Sequence, residues 1–285
     1  AQIVNQGQLT LKKSSNNTGI TSGNNLYSLN GAQYGVYSNK ACTSKVGTLT
    51  TNSSGQANTL TLYKGTYYIK ETKAPKGYQL STTVTTATVK SCALTTAKVS
   101  DTPINDPAAI TIYKRDKVTG DKVQGSASLA GAQFTVNYYA GYYEEDNLPA
   151  KPTRYWVLET KELKNPDTEE IRYSAVFADK YKVGGNAFYY VSGNSDPTIP
   201  LGTVTIQETK APDGYNNDLV MTDANGNKKD GMYLVQIKKE GDMTALTGGN
   251  TFIAEDTVVR GDFSFTKVNG DTGRKMANIP FKITN

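Results

Sequence analysis

The sequence predicts an all-β protein divided into tandem domains, and three observations support this prediction. Tyr and Thr, which favour half-buried strands, are abundant, with 19 Tyr in 285 residues. The 26 Gly and 10 Pro mark many turns. Short motifs also recur along the chain, as expected of a repeated structural unit. The length itself predicts about two domains.

The first repeated motif is a strand that alternates apolar and polar residues and then carries a Lys. Its copies are LTLKK at 9–13, ITIYK at 110–114 and FSFTK at 263–267, each followed by a Thr-Gly turn. Because side chains on a strand alternate between two faces, the final Lys of each copy is predicted to point inward with the apolar residues. These lysines are Lys13, Lys114 and Lys267.

Inward lysines need an explanation, because a buried ammonium group is costly unless it is paired. One interpretation is a strand-end Lys that extends its amine to water. The other is a buried Lys with a chemical role, and three copies in the same register favour it. A second motif, GAQYGV at 31–36 and GAQFTV at 131–136, follows as a short strand with an inward aromatic residue.

A third motif directs a carboxylate toward the same interior. It reads YYIKETKAPKGY at 67–78 and VTIQETKAPDGY at 204–215, a strand followed by a turn. Alternation places Glu71 and Glu208 on the inner face of these strands. The alternative for each Glu is an edge strand on which it faces solvent.

The closing strands, at 97–103 and 252–258, complete the pattern. Alternation directs Asp101 and Asp256 inward, so each complete repeat offers one Lys, one Glu and one Asp to a common interior. The opening strand with its Lys, the box that ends E-T-x-A-P-x-G-Y and the closing strand with its Asp resemble the collagen-adhesin B-type domain. This domain is also called CnaB, SpaA-like or prealbumin-like.

The resemblance covers two full repeats and the start of a third, and it implies an elongated tandem of inverse-immunoglobulin-type β-sandwiches. Domains of this family build the stalks and pili of Gram-positive surface proteins. The family further implies a spontaneous isopeptide bond between the opening-strand Lys and the closing-strand acid, promoted by the Glu. The implied pairs are Lys13 with Asp101 near Glu71, and Lys114 with Asp256 near Glu208.

The residue types suit this chemistry. A buried amine loses its proton more readily and becomes a nucleophile, while burial raises carboxyl pKa values so that a Glu can hold and transfer a proton. Because the acceptor is Asp where many relatives have Asn, water is the molecule that leaves. The reaction is a single turnover on the protein itself, so neither a cofactor nor activity on other substrates is expected.

The motifs divide the chain into two complete domains, residues 1–104 and 105–259, and the start of a third at 260–285. The second domain carries an insertion of about 36 residues before its Glu. The third segment has an opening strand but no Glu box and no closing strand. It is therefore expected to be an incomplete domain in which Lys267 has no partner.

The two cysteines, Cys42 and Cys92, both lie in the first domain. Their pairing cannot be read from the sequence, and two interpretations remain open: a disulfide, which a secreted protein favours, or two buried thiols. A metal site is not expected from two thiols in a chain without His.

The insertion of the second domain is rich in aromatic residues. One interpretation is an exposed platform for a host glycan or matrix protein, formed by Tyr142, Tyr143 and Trp156. The other, which we favour, is a set of strands that enlarges the sheet and leaves one face partly covered.

Composition excludes several classes of function. The absence of His excludes Ser-His-Asp and Cys-His catalysis. The net charge of +5 comes from interspersed charges and indicates solubility, not a nucleic-acid-binding stripe. No apolar run reaches the ~18 residues that a membrane-spanning helix requires.

The sequence therefore predicts an extracellular stalk segment of a Gram-positive adhesin or pilus. Its partners would be neighbouring domains of the same surface protein, and a region outside this sequence would attach it to the cell wall. The alternative is a ligand-binding adhesin module that recognises a host glycan or matrix protein through the aromatic insertion.

Overall fold

The computed structural model describes residues 5–107, 110–193, 195–222, 228–243, 251–261, 264–280 and 282, and strands dominate it. The first unit comprises β1 (Gln6–Ser15), α1 (Thr18–Thr21), β2 (Gln33–Tyr37), β3 (Lys45–Thr50), β4 (Leu60–Tyr63), β5 (Gly65–Lys73), β6 (Val84–Val89) and β7 (Leu94–Asp101). The prediction of an all-β protein is confirmed.

The second unit begins at residue 105 and contains more strands than the first. These are β8 (Asn105–Asp106), β9 (Thr111–Asp116), β10 (Gln133–Tyr139), β11 (Arg154–Glu159), β12 (Lys161–Lys164), β13 (Ile171–Val176), β14 (Lys182–Gly185), β15 (Tyr189–Tyr190), β16 (Pro197–Pro200), β17 (Gly202–Lys210), β18 (Val220–Thr222), β19 (Lys228–Asp230), β20 (Met232–Ile237) and β21 (Thr251–Asp256). Two 3₁₀ turns, Glu145–Asn147 and Asp179–Tyr181, lie between strands.

Each unit contains two main sheets that share an apolar core. In the first unit the strand orders are β4-β1-β7 and β3-β2-β5-β6. In the second unit they are β12-β13-β9-β21-β18-β19 and β14-β11-β10-β17-β20, with a small sheet β15-β16-β8 beside them. In each unit the strand that carries the lysine and the last strand run parallel to each other, as the pairs β1–β7 and β9–β21.

Alternation explains which side chains form the first core. Leu9 and Leu11 on β1 are fully buried, while Gln8 and Lys12 on either side of them are exposed. Thr10 between the two leucines is also buried, and its hydroxyl donates to the Ala57 carbonyl.

In the second unit β11 pairs with β10 as β3 pairs with β2, and β13 pairs with β9 as β4 pairs with β1. The additional strands of the two main sheets between β10 and β17 are β12 and β14, which lie at the outer edges of the two sheets, and large aromatic side chains join the core.

A hydrogen-bonded joint connects the two units. The Tyr27 hydroxyl donates to Ile104 O at 2.6 Å and accepts a hydrogen bond from Leu201 N at 2.8 Å. Asn24 Nδ2 donates to Leu201 O at 3.0 Å and to the Tyr138 hydroxyl at 2.8 Å. Tyr27 and Leu201 also belong to a small buried apolar cluster, so packing and hydrogen bonds both hold the joint. The domain boundaries at 104 and 259 stay predictions.

The third opening strand, predicted at 263–267, does not form in its described part. Residues 264–267 belong to no strand, and an isolated bridge joins Val268 to Lys275. Phe263 lies outside the described residues. Segment 264–267 pairs with no described strand, and an apolar-polar alternation alone does not hold a strand in water without a neighbouring ladder.

Among the described residues, none of the helices is of the length and apolar character needed to cross a membrane.

Candidate cross-linking sites

The first candidate site brings together the three predicted residues Lys13, Glu71 and Asp101, which we call the first triad. They come from β1, β5 and β7, and all three side chains are fully buried. Lys13 Nζ lies 2.9 Å from Glu71 Oε1 and in direct contact with Asp101 Oδ2. The interpretation of Lys13 as a strand-end residue that reaches water is therefore wrong.

The second candidate site, the second triad, repeats the arrangement with Lys114, Glu208 and Asp256. Its residues come from β9, β17 and β21, and their side chains are also fully buried. Lys114 Nζ lies 3.0 Å from Glu208 Oε1 and 2.6 Å from Asp256 Oδ2. In both triads the Glu points into the core, so the solvent-facing alternative for these residues is wrong.

Strand register explains why the lysine meets the aspartate. In the parallel pair β1–β7, Lys13 lies opposite Val99, and Asp101 is two residues further along. In β9–β21, Lys114 lies opposite Ala254, and Asp256 is again two residues further along. A displacement of two residues keeps both side chains on the same face of the sheet.

Burial changes the acid-base properties of the carboxyl groups. It raises the pKa of Glu208 to about 8, although the Lys114 ammonium opposes the shift. It raises the pKa of Asp256 in the same way, and the pKa of Asp101 to about 6, against the hydrogen bond from Lys13. Glu208 therefore holds a proton near neutral pH, whereas Asp101 holds one only up to about pH 6, because ionised carboxylates are poorly solvated in the core.

The two triads differ in their hydrogen bonds. Glu71 Oε2 accepts a hydrogen bond from Ser81 N at 2.8 Å, and the hydroxyl of Tyr34 accepts one from the triad lysine at 2.5 Å. In the second triad Phe134 occupies the position of Tyr34. Lys114 Nζ and Glu208 Oε1 lie at an ion-pair distance, but neither these two atoms nor Glu208 Oε2 meet hydrogen-bond geometry with a described group.

Sequence reasoning missed Tyr34 and Ser81 as site residues. The inward aromatic of the GAQ motif was recognised as a core residue in both copies, and its change from Tyr to Phe was the available signal. Ser81 participates through its backbone N–H, so its residue type carries no signal.

The prediction of a disulfide or of two buried thiols is wrong. Cys42 and Cys92 are both free; Cys42 is half-buried and Cys92 is exposed. They lie in the β2–β3 and β6–β7 connections, and the sheet order places β5 between β2 and β6.

The exposed aromatic platform predicted in the insertion is not formed by its three proposed residues. Trp156 is fully buried, packs against Phe177 and Phe188, and donates its indole N–H to a backbone carbonyl. Tyr143 is half-buried, and Tyr142 is 40% exposed. Because side chains alternate along β11, Trp156 points toward the core. This agrees with the interpretation favoured from the sequence, in which the aromatic residues belong to strands of an enlarged sheet.

Lys267, the third predicted cross-linking lysine, is exposed. Its backbone carbonyl accepts a hydrogen bond from Met276 N at 2.8 Å. It therefore lies in surroundings unlike those of the two buried lysines.

Comparison with protein families gives a match over the first unit. The family model SpaA, a prealbumin-like fold domain, matches residues 7–103. No curated protein matches the chain.

Several solved structures are similar to this chain at low sequence identity. The Bacillus anthracis TIE protein is 20% identical, with 90% of this chain and 34% of that chain covered and a TM-score of 0.48. The chain thus spans about a third of that protein's length.

Two pilus proteins cover a similar share of this chain. The C-terminal fragment of the pilus adhesin SpaC from Lactobacillus rhamnosus GG is 18% identical, covering 91% of this chain and 100% of its own, with a TM-score of 0.41. BcpA, the major pilin subunit of Bacillus cereus, is 14% identical, covering 89% and 100%, with a TM-score of 0.30.

Proposed function

We propose that the chain is a stalk segment of a Gram-positive adhesin or pilus, a proposal supported by the match of residues 7–103 to the SpaA family model, a prealbumin-like fold domain. We propose further that an amide bond between a lysine and an aspartate side chain cross-links each of its two units. The observation that carries the proposal is the pair of buried triads, in which each lysine amine lies beside an aspartate carboxyl.

The proposed reaction is a condensation inside the folded core. The lysine Nζ attacks the aspartate carboxyl carbon, a C–N bond forms, and a C–O bond breaks. The ammonium and carboxylate together lose one water, because the nitrogen gives up two protons to the departing oxygen. The glutamate carries protons from the nitrogen to that oxygen, and its raised pKa at Glu208 suits it to hold one near neutral pH.

The fold supplies the conditions that the reaction needs. Three strands hold the groups in contact, and such proximity can lower a barrier by ~7–11 kcal/mol. The product also removes a cost, because two buried charges become a neutral amide that needs less solvation. The dry core hinders hydrolysis of the amide.

The amide would stabilise each unit against unfolding. In the first unit it joins residues separated by 88 positions. By analogy with a disulfide, a closed loop of this length contributes roughly 4–5 kcal/mol by restricting the unfolded chain. It also joins the first strand to the last, so a pulling force passes through covalent bonds instead of shearing the hydrogen bonds between β1 and β7.

Intact-mass measurement of the folded chain tests this proposal directly. We expect a mass below that of the sequence by two water molecules, one for each triad. Tandem mass spectrometry should then find the joined peptides Lys13–Asp101 and Lys114–Asp256. A mass equal to that of the unmodified sequence would refute the condensation and leave the family assignment of residues 7–103 intact.

A further inference from the structure

The two triads differ at one aromatic position on the strand beside the glutamate. Tyr34 on β2 lies opposite Glu71 in the register, and Phe134 on β10 lies opposite Glu208. Both aromatic side chains are buried, and their ring centroids lie 5.1 and 5.9 Å from the lysine Nζ of the same unit. The two side chains differ by a single hydroxyl group.

The Tyr34 hydroxyl touches a reacting atom. It accepts a hydrogen bond from Lys13 Nζ at 2.5 Å, and it also interacts with the Glu71 carboxyl. Burial, reinforced by the negative charges of the two triad carboxylates, raises the pKa of Tyr34 far above its ordinary value. The phenol is therefore neutral at physiological pH and accepts a hydrogen bond from the amine without forming an ion pair.

Three acceptors surround the Lys13 amine. They are the Tyr34 hydroxyl, Glu71 Oε1 and Asp101 Oδ2. A neutral amine keeps two N–H groups, which can donate to Tyr34 and Glu71, and this leaves its lone pair directed at the Asp101 carboxyl. Attack on the carboxyl carbon requires this orientation, and fixing it in advance lowers the barrier.

Among the residues that the structure describes, none supplies the second triad with a third acceptor. Lys114 Nζ lies near one oxygen of Glu208 and one of Asp256, and the ring of Phe134 offers no oxygen in the remaining direction. The amine can therefore rotate, and its lone pair is not held toward Asp256.

We propose that Tyr34 is a further catalytic residue of the first triad, which holds the Lys13 amine in its attacking orientation and makes the first unit condense faster than the second. This inference rests on the proposed condensation. The C–N bond forms between Lys13 Nζ and Asp101 Cγ, and water leaves with the two protons that the nitrogen gives up. Tyr34 keeps its own proton throughout.

Refolding of the full chain measures both reactions in one sample. The chain is collected in urea directly from translation, so that it has not folded, and is then diluted into buffer and quenched in acid at intervals. Mass spectrometry of the digest gives the joined fraction at each triad over time. We expect the first triad of the wild-type chain to react faster than the second.

The substitution Tyr34→Phe should slow the first triad about tenfold, the loss expected for one hydrogen bond to the reacting amine. The rate at the second triad should stay unchanged and serves as the internal control. The reciprocal substitution Phe134→Tyr should accelerate the second triad, an effect that a purely structural role of the hydroxyl would not produce.

The outcomes separate this inference from the proposed function. If both triads form amides and Tyr34→Phe reacts at the wild-type rate, the role of Tyr34 is refuted and the condensation stands. If neither wild-type triad reacts, the condensation fails and the inference fails with it. If Tyr34→Phe does not fold, the rate of Phe134→Tyr at the second triad decides: acceleration supports the role of the hydroxyl, and an unchanged rate refutes it.

Discussion

Lys114 and Asp256 lie on adjacent parallel strands, displaced by two residues, with 2.6 Å between Lys114 Nζ and Asp256 Oδ2. Lys13 and Asp101 show the same displacement on β1 and β7. The sheet register therefore creates the amine–carboxyl contact in both units. A shift of one residue would turn one of the two side chains to the outer face and abolish the contact.

Replacing Glu208 with Gln should prevent the amide at the second triad. Gln keeps the size of the side chain but cannot carry a proton between the amine and the leaving oxygen, so we expect a rate loss of about 100-fold or more. The intact mass, corrected for the substitution, should exceed that of the wild type by one water. The exposed Glu240→Gln is the matched control and should retain both amides. An amide at Lys114 in Glu208→Gln at the wild-type rate would contradict the proton-transfer role.

The rate of condensation should fall with rising pH at both triads, but over different pH ranges. A raised pKa means that a carboxyl keeps its proton to higher pH, so Glu208 remains a donor up to about pH 8 and Asp101 remains neutral up to about pH 6. We therefore expect the second-triad rate to fall as pH rises through about 8, and the first-triad rate to fall through about 6. Refolding across a pH series, with peptide mass spectrometry, measures both. A second-triad rate that continues to increase beyond about pH 8 would disagree with this role of Glu208.

Replacing Trp156 with Ala should destabilise the second unit, not remove a binding surface. The fully buried indole packs against Phe177 and Phe188, and truncating such a side chain costs about 3–5 kcal/mol. Urea unfolding followed by circular dichroism measures the loss. The neighbouring Tyr155→Ala, which removes a 44% exposed ring from the same strand, should change stability by less than about 1 kcal/mol. Equal stabilities of these two variants would show that the indole does not support the core.

The joint between the units should loosen when Tyr27 is replaced with Phe. The substitution removes the hydroxyl that joins Ile104 O to Leu201 N, and a buried N–H left without its partner costs about 1–3 kcal/mol. Hydrogen exchange of the Leu201 amide should become faster, while exchange at the core strands stays unchanged. Tyr63→Phe, at a 67% exposed position, is the control. Unchanged exchange at Leu201 would mean that packing alone holds the joint.

The inner faces of the strands were predictable because strand alternation is a local property. The pattern around Lys13 was enough to predict its burial, and the spacing of the repeats predicted that Lys114 shares its environment. The displacement of two residues between lysine and aspartate was not predictable, because register depends on hydrogen bonds between strands that are distant in the sequence.

The other differences between the sequence predictions and the structure also arise from contacts between residues that are distant in the sequence. Trp156 on β11 lies opposite Val136, where the first unit has Gly47 opposite Val36 on β3, so the first repeat offers no aromatic residue from which its burial could be predicted. Cys42 and Cys92 are free because of where their two loops lie in the folded unit, which a count of cysteines does not contain. Tyr34 became a candidate catalytic residue only when its hydroxyl could be placed against the lysine amine.

The parallel direction of β1 and β7 also determines where the chain enters and leaves the first unit. β1 begins at the end farthest from the second unit, and β7 ends beside the joint, so the two termini of the unit lie at opposite poles. A 10-residue strand such as β1 spans roughly 33 Å. Units of this kind placed in succession therefore all point the same way, and each added copy carries the distal tip further from its origin without increasing the width of the array.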